Sequence, residues 1–151
     1  MAARIIGIGQ AMAGDDGAGI AVVRRLCEMP SADGVEVMEI AEPSALVPLL
    51  TDGASPVVLI DAMVDGGEPG RIVHLRSGAG AGRSRLLSSH GMGVRQAIDL
   101  AMTLNPDDFA QRVEIVAITI ARPAAYGTGL SPEVARAVEQ AAIEALRLAG
   151  I

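Results

Sequence analysis

Hydrophobic positions along the chain switch between a period of two and a period near 3.6, and the switches fall at glycine, proline and short polar clusters. Residues 4–9, Arg4-Ile5-Ile6-Gly7-Ile8-Gly9, form a β-branched apolar run that stops at glycines and predict a buried strand. A loop carrying Asp15 and Asp16 follows, then a helix beginning near Asp16 and running through Ile20, Val23, Arg24 and Cys27. Residues 35–40 alternate as a second strand. Glu42-Pro43-Ser44 reads as a helix start with Pro43 near its first position. That helix, roughly 43–50, is short, and Pro48 is expected to distort it. Residues 55–61 are apolar until Asp61, as in a central parallel strand buried on both faces, and place Asp61 at the strand's carboxyl end.

The second half follows the same logic. Residues 65–70 are too few for a crossover helix, so 71–76 is expected to return antiparallel to a neighbour. A Gly/Arg/Ser-rich stretch, 77–87, predicts an exposed mobile loop. Ser88-Ser89-His90-Gly91 opens a helix whose stripe is Val94, Ala97, Ile98, Ala101 and Leu104, ended by Asn105-Pro106. Residues 113–120 predict a fifth strand and 121–130 a second long loop. Ser131-Pro132-Glu133 supplies N-cap, N1 and N2 of a last helix that turns Val134, Val138, Ala141, Ala145 and Leu148 inward. The order β-α-β-α-β-β-α-β-α predicts one domain, 1–151. It is an α/β fold: a three-layer α/β/α sandwich whose mixed five-stranded sheet has one antiparallel strand.

Composition narrows the function. Half the residues are apolar and 20% charged, which a globular chain needs and a disordered one lacks. With one Phe and one Tyr (Phe109, Tyr126), the core must be aliphatic. A net charge of -6 argues against a nucleic-acid partner, whose phosphates require basic neutralisation. The single Cys27 excludes an internal disulfide, fits a reducing compartment and is expected to pack in the core. No apolar run is long enough to span a bilayer and no export signal is visible, so a soluble cytoplasmic protein without a membrane partner is expected.

The candidate chemistry lies where strands end. Asp16 follows strand one, Asp61 ends strand three and His90 precedes the third helix. If strands one and three are parallel, both carboxylates occupy the same sheet edge, within reach of His90. Two carboxylates and an imidazole suit a borderline divalent ion such as nickel or zinc, with positions left open for water or substrate. Plainer readings stand beside this one. Asp16 is also a good helix cap, Asp61 a turn former, and His90 a residue exposed at a helix start. Asp15 reads as loop-shaping, and His74 as a partly exposed strand residue sharing a face with Ile72 and Arg76.

Other chemistries lack their parts. A dinucleotide fingerprint needs a third glycine where Met12 stands, and Asp15 and Asp16 would repel a phosphate. No G-x-x-x-x-G-K-[ST] is present, and Ser88 and Ser89 lack a G-x-S-x-G elbow. An acid–base dyad of two Asp residues is the remaining alternative, though His90 beside them favours a metal.

Taken in order, Gly7-x-Gly9, Gly14-Asp15-Asp16-Gly17-x-Gly19, Leu59-Ile60-Asp61-Ala62, Ser88-x-His90-x-x-Gly93 and Gly129-Leu130-Ser131-Pro132-Glu133-Val134 resemble the nickel–iron hydrogenase maturation endopeptidases. The resemblance implies an α/β/α fold and a metal-dependent, aspartyl-type endopeptidase of the cytoplasm. Its substrate would be the hydrogenase large-subunit precursor, trimmed of its C-terminal extension after nickel insertion, with nickel supplied by that precursor. By position, the family's metal-contacting and catalytic residues fall on Asp16, Asp61 and His90. A monomer is expected. Two departures are Gln10, where members commonly have Asn, and Glu39-Ile40-Ala41-Glu42, where many have Asp-Gly-Gly-Thr. Arg76, Arg83 and Arg85 are either solvated or positioned to read acidic groups of the precursor, which the loops 77–87 and 121–130 would grip. The alternatives are a nickel-sensing chaperone that binds the precursor without cutting it, and a degenerate nucleotide-binding domain.

Overall fold

The computed structural model describes residues 2–76, 93–106, 113–121 and 129–151. Five strands form one sheet in the order β2-β1-β3-β5-β4: β1 (Arg4–Ile8), β2 (Glu36–Ile40), β3 (Val57–Met63), β4 (Ile72–Arg76) and β5 (Val113–Thr119). β2, β1, β3 and β5 run parallel, and β4 lies antiparallel against β5, so the mixed sheet anticipated from the short 65–70 turn is present. β1 and β3 are buried along their whole lengths, which is why both read as unbroken apolar runs.

Helices cover both faces. α1 (Ala18–Cys27) and α4 (Pro132–Leu148) pack together on one face, over Ile5, Val58, Ile60, Val116 and Ile118. α2 (Leu46–Thr51) and α3 (Val94–Leu104) cover the other, over Ile6, Ile8, Leu59, Val113 and Ile115. The three-layer α/β/α sandwich is complete, and its core is built from Ile, Leu, Val and Ala.

Several local expectations shift. The first helix starts with a 3-10 turn, Gly14–Gly17, before α1. Its buried residues are Ala18, Gly19, Ile20, Val22, Val23 and Leu26, so Ile20 and Val23 lie inward while Arg24 and Cys27 do not. Cys27 therefore lies exposed at the helix end rather than in the core, because Leu26 takes the inward position. Leu104 likewise ends α3 pointing outward. Pro48 falls in the first turn of α2, where its missing N–H has no helical partner to lose, so the helix accommodates it. β3 continues two residues past Asp61, to Met63, because β5 pairs with it as far as Thr119.

Close approach of α1 to the sheet depends on two glycines. A Cβ at Gly7 would overlap the Gly19 carbonyl oxygen and come within 2.8 Å of Val23 Cγ1. One at Gly19 would strike the Ile60 oxygen and lie 2.6 Å from that of Ile8. Backbone atoms on both sides of the contact leave room only for hydrogen. At the opposite, amino-terminal edge, the buried Arg4 binds Glu36, the Leu49 carbonyl at 2.8 Å and Asp52 at 2.8 Å, tying β1 and β2 to the end of α2.

Candidate functional site

The strand order sets the position of the site. From β1 the chain passes through α1 to β2 on one side, then through α2 to β3 on the other side of β1. The helices leave the sheet on opposite faces, so the carboxyl ends of β1 and β3 flank a topological switch point, where open α/β sheets form a crevice. Asp16 lies in the turn after β1, and that turn packs against β3, which carries Asp61.

Gly9 holds the turn in place. A Cβ there would overlap the Asp16 carbonyl oxygen, so the chain leaving β1 can fold back against the Asp16 backbone only with glycine. Asp16 is thereby held at the end of β1, in the turn that packs on β3. Asp16 is half-buried, whereas Asp61 is 1% exposed.

Asp61 is the site's least expected group. Its Oδ1 accepts the Ala62 N–H at 2.8 Å, while its Oδ2 is buried with no hydrogen-bond partner among the described residues. Burying an ionised carboxylate half-satisfied costs several kcal/mol unless a cation or a proton compensates, an effect of order 2–7 kcal/mol even for an uncharged polar group. Burial accordingly pushes the Asp61 carboxyl well above the usual range, and the charge of Asp16 adds to the effect, against the Ala62 N–H. Burial also raises Asp16, with a backbone hydrogen bond from Gln10 opposing it. An orphaned oxygen beside a second carboxylate is a donor set for a hard or borderline cation, which displaces the protons when it binds.

Asp15 is turned away from this pair. Its two oxygens accept the backbone N–H of Ser131 at 2.6 Å and the Ser131 hydroxyl at 2.7 Å, linking the 3-10 turn to the start of α4. Ser131 occupies the N-cap position, yet its hydroxyl makes no bond to the helix it precedes. No feature of a single sequence joins residues 116 positions apart, so this pair was not legible there.

His90 lies outside the described residues, as do Arg83, Arg85 and most of the loops at 77–87 and 121–130. Among the described residues no group of three or more His, Cys, Asp or Glu could hold a metal ion. His74, on β4, bonds Glu114 at 2.6 Å, and Arg76 bonds the same carboxylate at 3.2 Å, so both belong to a surface ion cluster. Beside the crevice, a cleft of about 290 Å³ is lined by Gly9, Gln10, Ala11, Ile20, Glu39, Ile40 and Ala41. Both departures from the family pattern noted in the sequence, Gln10 and the segment after β2, therefore border one cleft. No described helix is long and apolar enough to cross a membrane.

The fold and the crevice define an α/β/α sandwich that carries a carboxylate pair, rather than a phosphate loop, at its topological switch point. The chain belongs to the hydrogenase maturation protease family, whose model matches residues 20–148, and so to the proteases of hydrogenase maturation. The [NiFe] hydrogenase maturation protease HybD from Thermococcus kodakarensis shares 29% identity over 99% of each chain, with a TM-score of 0.76. The hydrogenase maturating endopeptidase HybD from E. coli, 20% identical, aligns over 95% of this chain and 89% of its own with a TM-score of 0.76. An endopeptidase from Escherichia coli, 24% identical, aligns over 100% and 95% with a TM-score of 0.77. The latter two likenesses speak for the fold alone. The comparison with curated proteins gave no match.

Proposed function

We propose that this protein is a cytoplasmic, monomeric endopeptidase that removes the C-terminal extension of a nickel–iron hydrogenase large-subunit precursor after nickel insertion. The nickel arrives as part of the substrate, and Asp16, Asp61 and His90 contact it. The observation that carries the reading is the buried, unpartnered Oδ2 of Asp61 beside Asp16, an arrangement that is unfavourable until a cation reaches it. With a precursor lacking nickel the Asp61 carboxyl keeps its proton, and nickel displaces that proton on arrival, so recognition of the metal and commitment to cutting become one event.

The division of labour follows from burial. Asp61, enclosed in β3, is a fixed ligand. Asp16, half-buried at the rim, is accessible to water. Precursor-borne nickel polarises the scissile carbonyl and lowers the pKa of an adjacent water. Asp16 accepts that water's proton as hydroxide adds to the carbonyl carbon. It then returns the proton to the departing amine as the C–N bond breaks, so that a carboxylate and an amine are released.

The test is a processing assay on the precursor with and without nickel, read by mass spectrometry. Loss of the extension from the nickel-loaded precursor alone is expected. Stable binding without mass loss would replace proteolysis by the chaperone role, and equal trimming of nickel-free precursor would remove the metal from recognition. His90→Ala is expected to slow trimming by about 100-fold with an unchanged far-UV circular dichroism spectrum. Trimming at the normal rate by that variant would exclude His90 from the site.

A further inference from the structure

We infer that Asp15 is a positioning residue: by clamping Ser131 at the start of α4, it holds the 3-10 turn so that Asp16 faces Asp61. The inference rests on the proposed role of Asp16 but concerns a residue that itself touches no substrate.

Three observations support it. Asp15 accepts two hydrogen bonds from one residue, at 2.6 and 2.7 Å, so its carboxylate plane and the direction of the turn are both fixed. A single bond would leave the turn free to pivot. Second, the N-cap serine of α4 gives up its usual task. A serine there ordinarily accepts a helix N–H, a contribution of about 1 kcal/mol, whereas Ser131 makes no such bond and donates its hydroxyl to Asp15. A helix start that forgoes its own cap to bind a distant turn is organised around that turn. The negative charge of Asp15 at the helix N-terminus partly restores what the missing cap would supply.

Third, both ends of the clamp are rigid. α4 is 17 residues long, and its inner face, from Val134 to Leu146, is buried against α1 and the sheet. Its first turn is also met by the β3–β4 turn, where a Cβ on Gly70 would lie 2.6 Å from the Glu133 carbonyl oxygen. On the other side, the Asp16 backbone abuts Gly9. The turn carrying Asp16 is thus held by β1 at one point and by α4, through Asp15, at another. Without the second hold, the four-residue 3-10 turn keeps its packing on β3 and the Gln10 hydrogen bond to Asp16, but loses the contact that fixes its far side against α4.

The clamp requires geometry rather than charge, and that distinguishes it from a ligand role for Asp15. Asn at this position keeps an acceptor for the Ser131 N–H and can donate to the Ser131 oxygen, while Ala keeps neither. Steady-state trimming of nickel-loaded precursor should be measured for wild type, D15N, D15A, S131T, S131A and D15A/S131A, together with amide hydrogen exchange across residues 14–17. In D15A, which removes both hydrogen bonds, kcat is expected to fall roughly 10–100-fold with KM within about threefold, the size typical of losing a partner behind a metal-contacting group; S131A keeps the backbone N–H on Asp15 and should lose less. D15N and S131T should retain most of the activity, and the double variant should be no slower than D15A, because D15A already removes the hydroxyl bond that S131A takes away. Exchange at 14–17 should accelerate in D15A and S131A and not in S131T.

Multiplicative losses in the double variant, a D15N as inactive as D15A, or unchanged exchange in D15A would each overturn the clamp. If the wild-type protein leaves the precursor uncut, the proposed function fails, while the exchange measurement still decides whether the clamp exists.

Discussion

Asp61→Asn is expected to make the protein more stable and nearly inactive. Asn keeps an oxygen for the Ala62 N–H and replaces the orphaned Oδ2 by an amide that never ionises. In the unfolded chain Asp61 ionises in the ordinary carboxylate range, whereas in the folded chain burial holds its proton to much higher pH. Between those two values the folded protein binds a proton that the unfolded chain has released. Stability is therefore complete below the unfolded value and declines as pH rises through the folded one. At neutral pH, between those two values, the variant should therefore be the more stable. In acid, where both forms are neutral, the advantage should vanish. Trimming should fall by about three orders of magnitude, since a neutral amide is a poor ligand for nickel and cannot balance its charge. Urea titrations from acid to mildly alkaline pH, paired with the trimming assay, read both effects. A variant that trims normally, or whose stability follows the same pH dependence as wild type, would show that Asp61 is a structural residue and no more.

Gly19→Ala is expected to damage the fold itself. Alanine is the better helix former by about 1 kcal/mol, and at an exposed helical glycine that preference would decide the outcome. Here the added methyl would strike the Ile60 oxygen and sit 2.6 Å from that of Ile8 and 3.0 Å from the Ile8 nitrogen, all backbone atoms of buried strands. Neither strand can recede, because each pairs on both sides. α1 must then lift from the sheet, and overpacking of this kind costs about 3 kcal/mol. A net loss of about 2 kcal/mol lowers the unfolding midpoint by about 4–8 °C in a chain of this size. Because α1 begins directly after the turn that carries Asp16, trimming should fall as well, and more steeply with temperature than in wild type. An unchanged or raised midpoint in differential scanning calorimetry would mean that the helix–strand approach is looser than these contacts indicate.

The effects of the two substitutions are opposite in sign because the two sites answer different demands. Gly19 satisfies packing, and any change there works against the core. Asp61 is a polar group whose burial opposes folding, a cost that the proposed nickel contact would offset. Strain of this kind at a functional position is what a stability–activity trade-off predicts. The same contrast appears between the edges of the sheet. At the amino edge Arg4 is fully engaged by Glu36, Asp52 and the Leu49 carbonyl, while at the carboxyl edge a carboxylate oxygen has no partner among the described residues.

The sequence by itself determined the elements and the architecture. Residues 4–9, 35–40, 55–61, 71–76 and 113–120 carry local signals of burial and alternation. The 65–70 turn is too short for a helix, and that alone forces the antiparallel strand. It also placed Asp16 after β1 and Asp61 toward the carboxyl end of β3, though β3 runs two residues further than expected. What it could not supply were relations between residues far apart in the chain. The hydrogen bonds from Ser131 to Asp15, the lack of a described partner for Asp61 Oδ2, and the inward turn of Leu26 in place of Cys27 all depend on which surfaces meet. Local propensity is a property of a few neighbouring residues, whereas desolvation and side-chain partnership are set by whatever the rest of the chain packs against them. Only the assembled sandwich decides those.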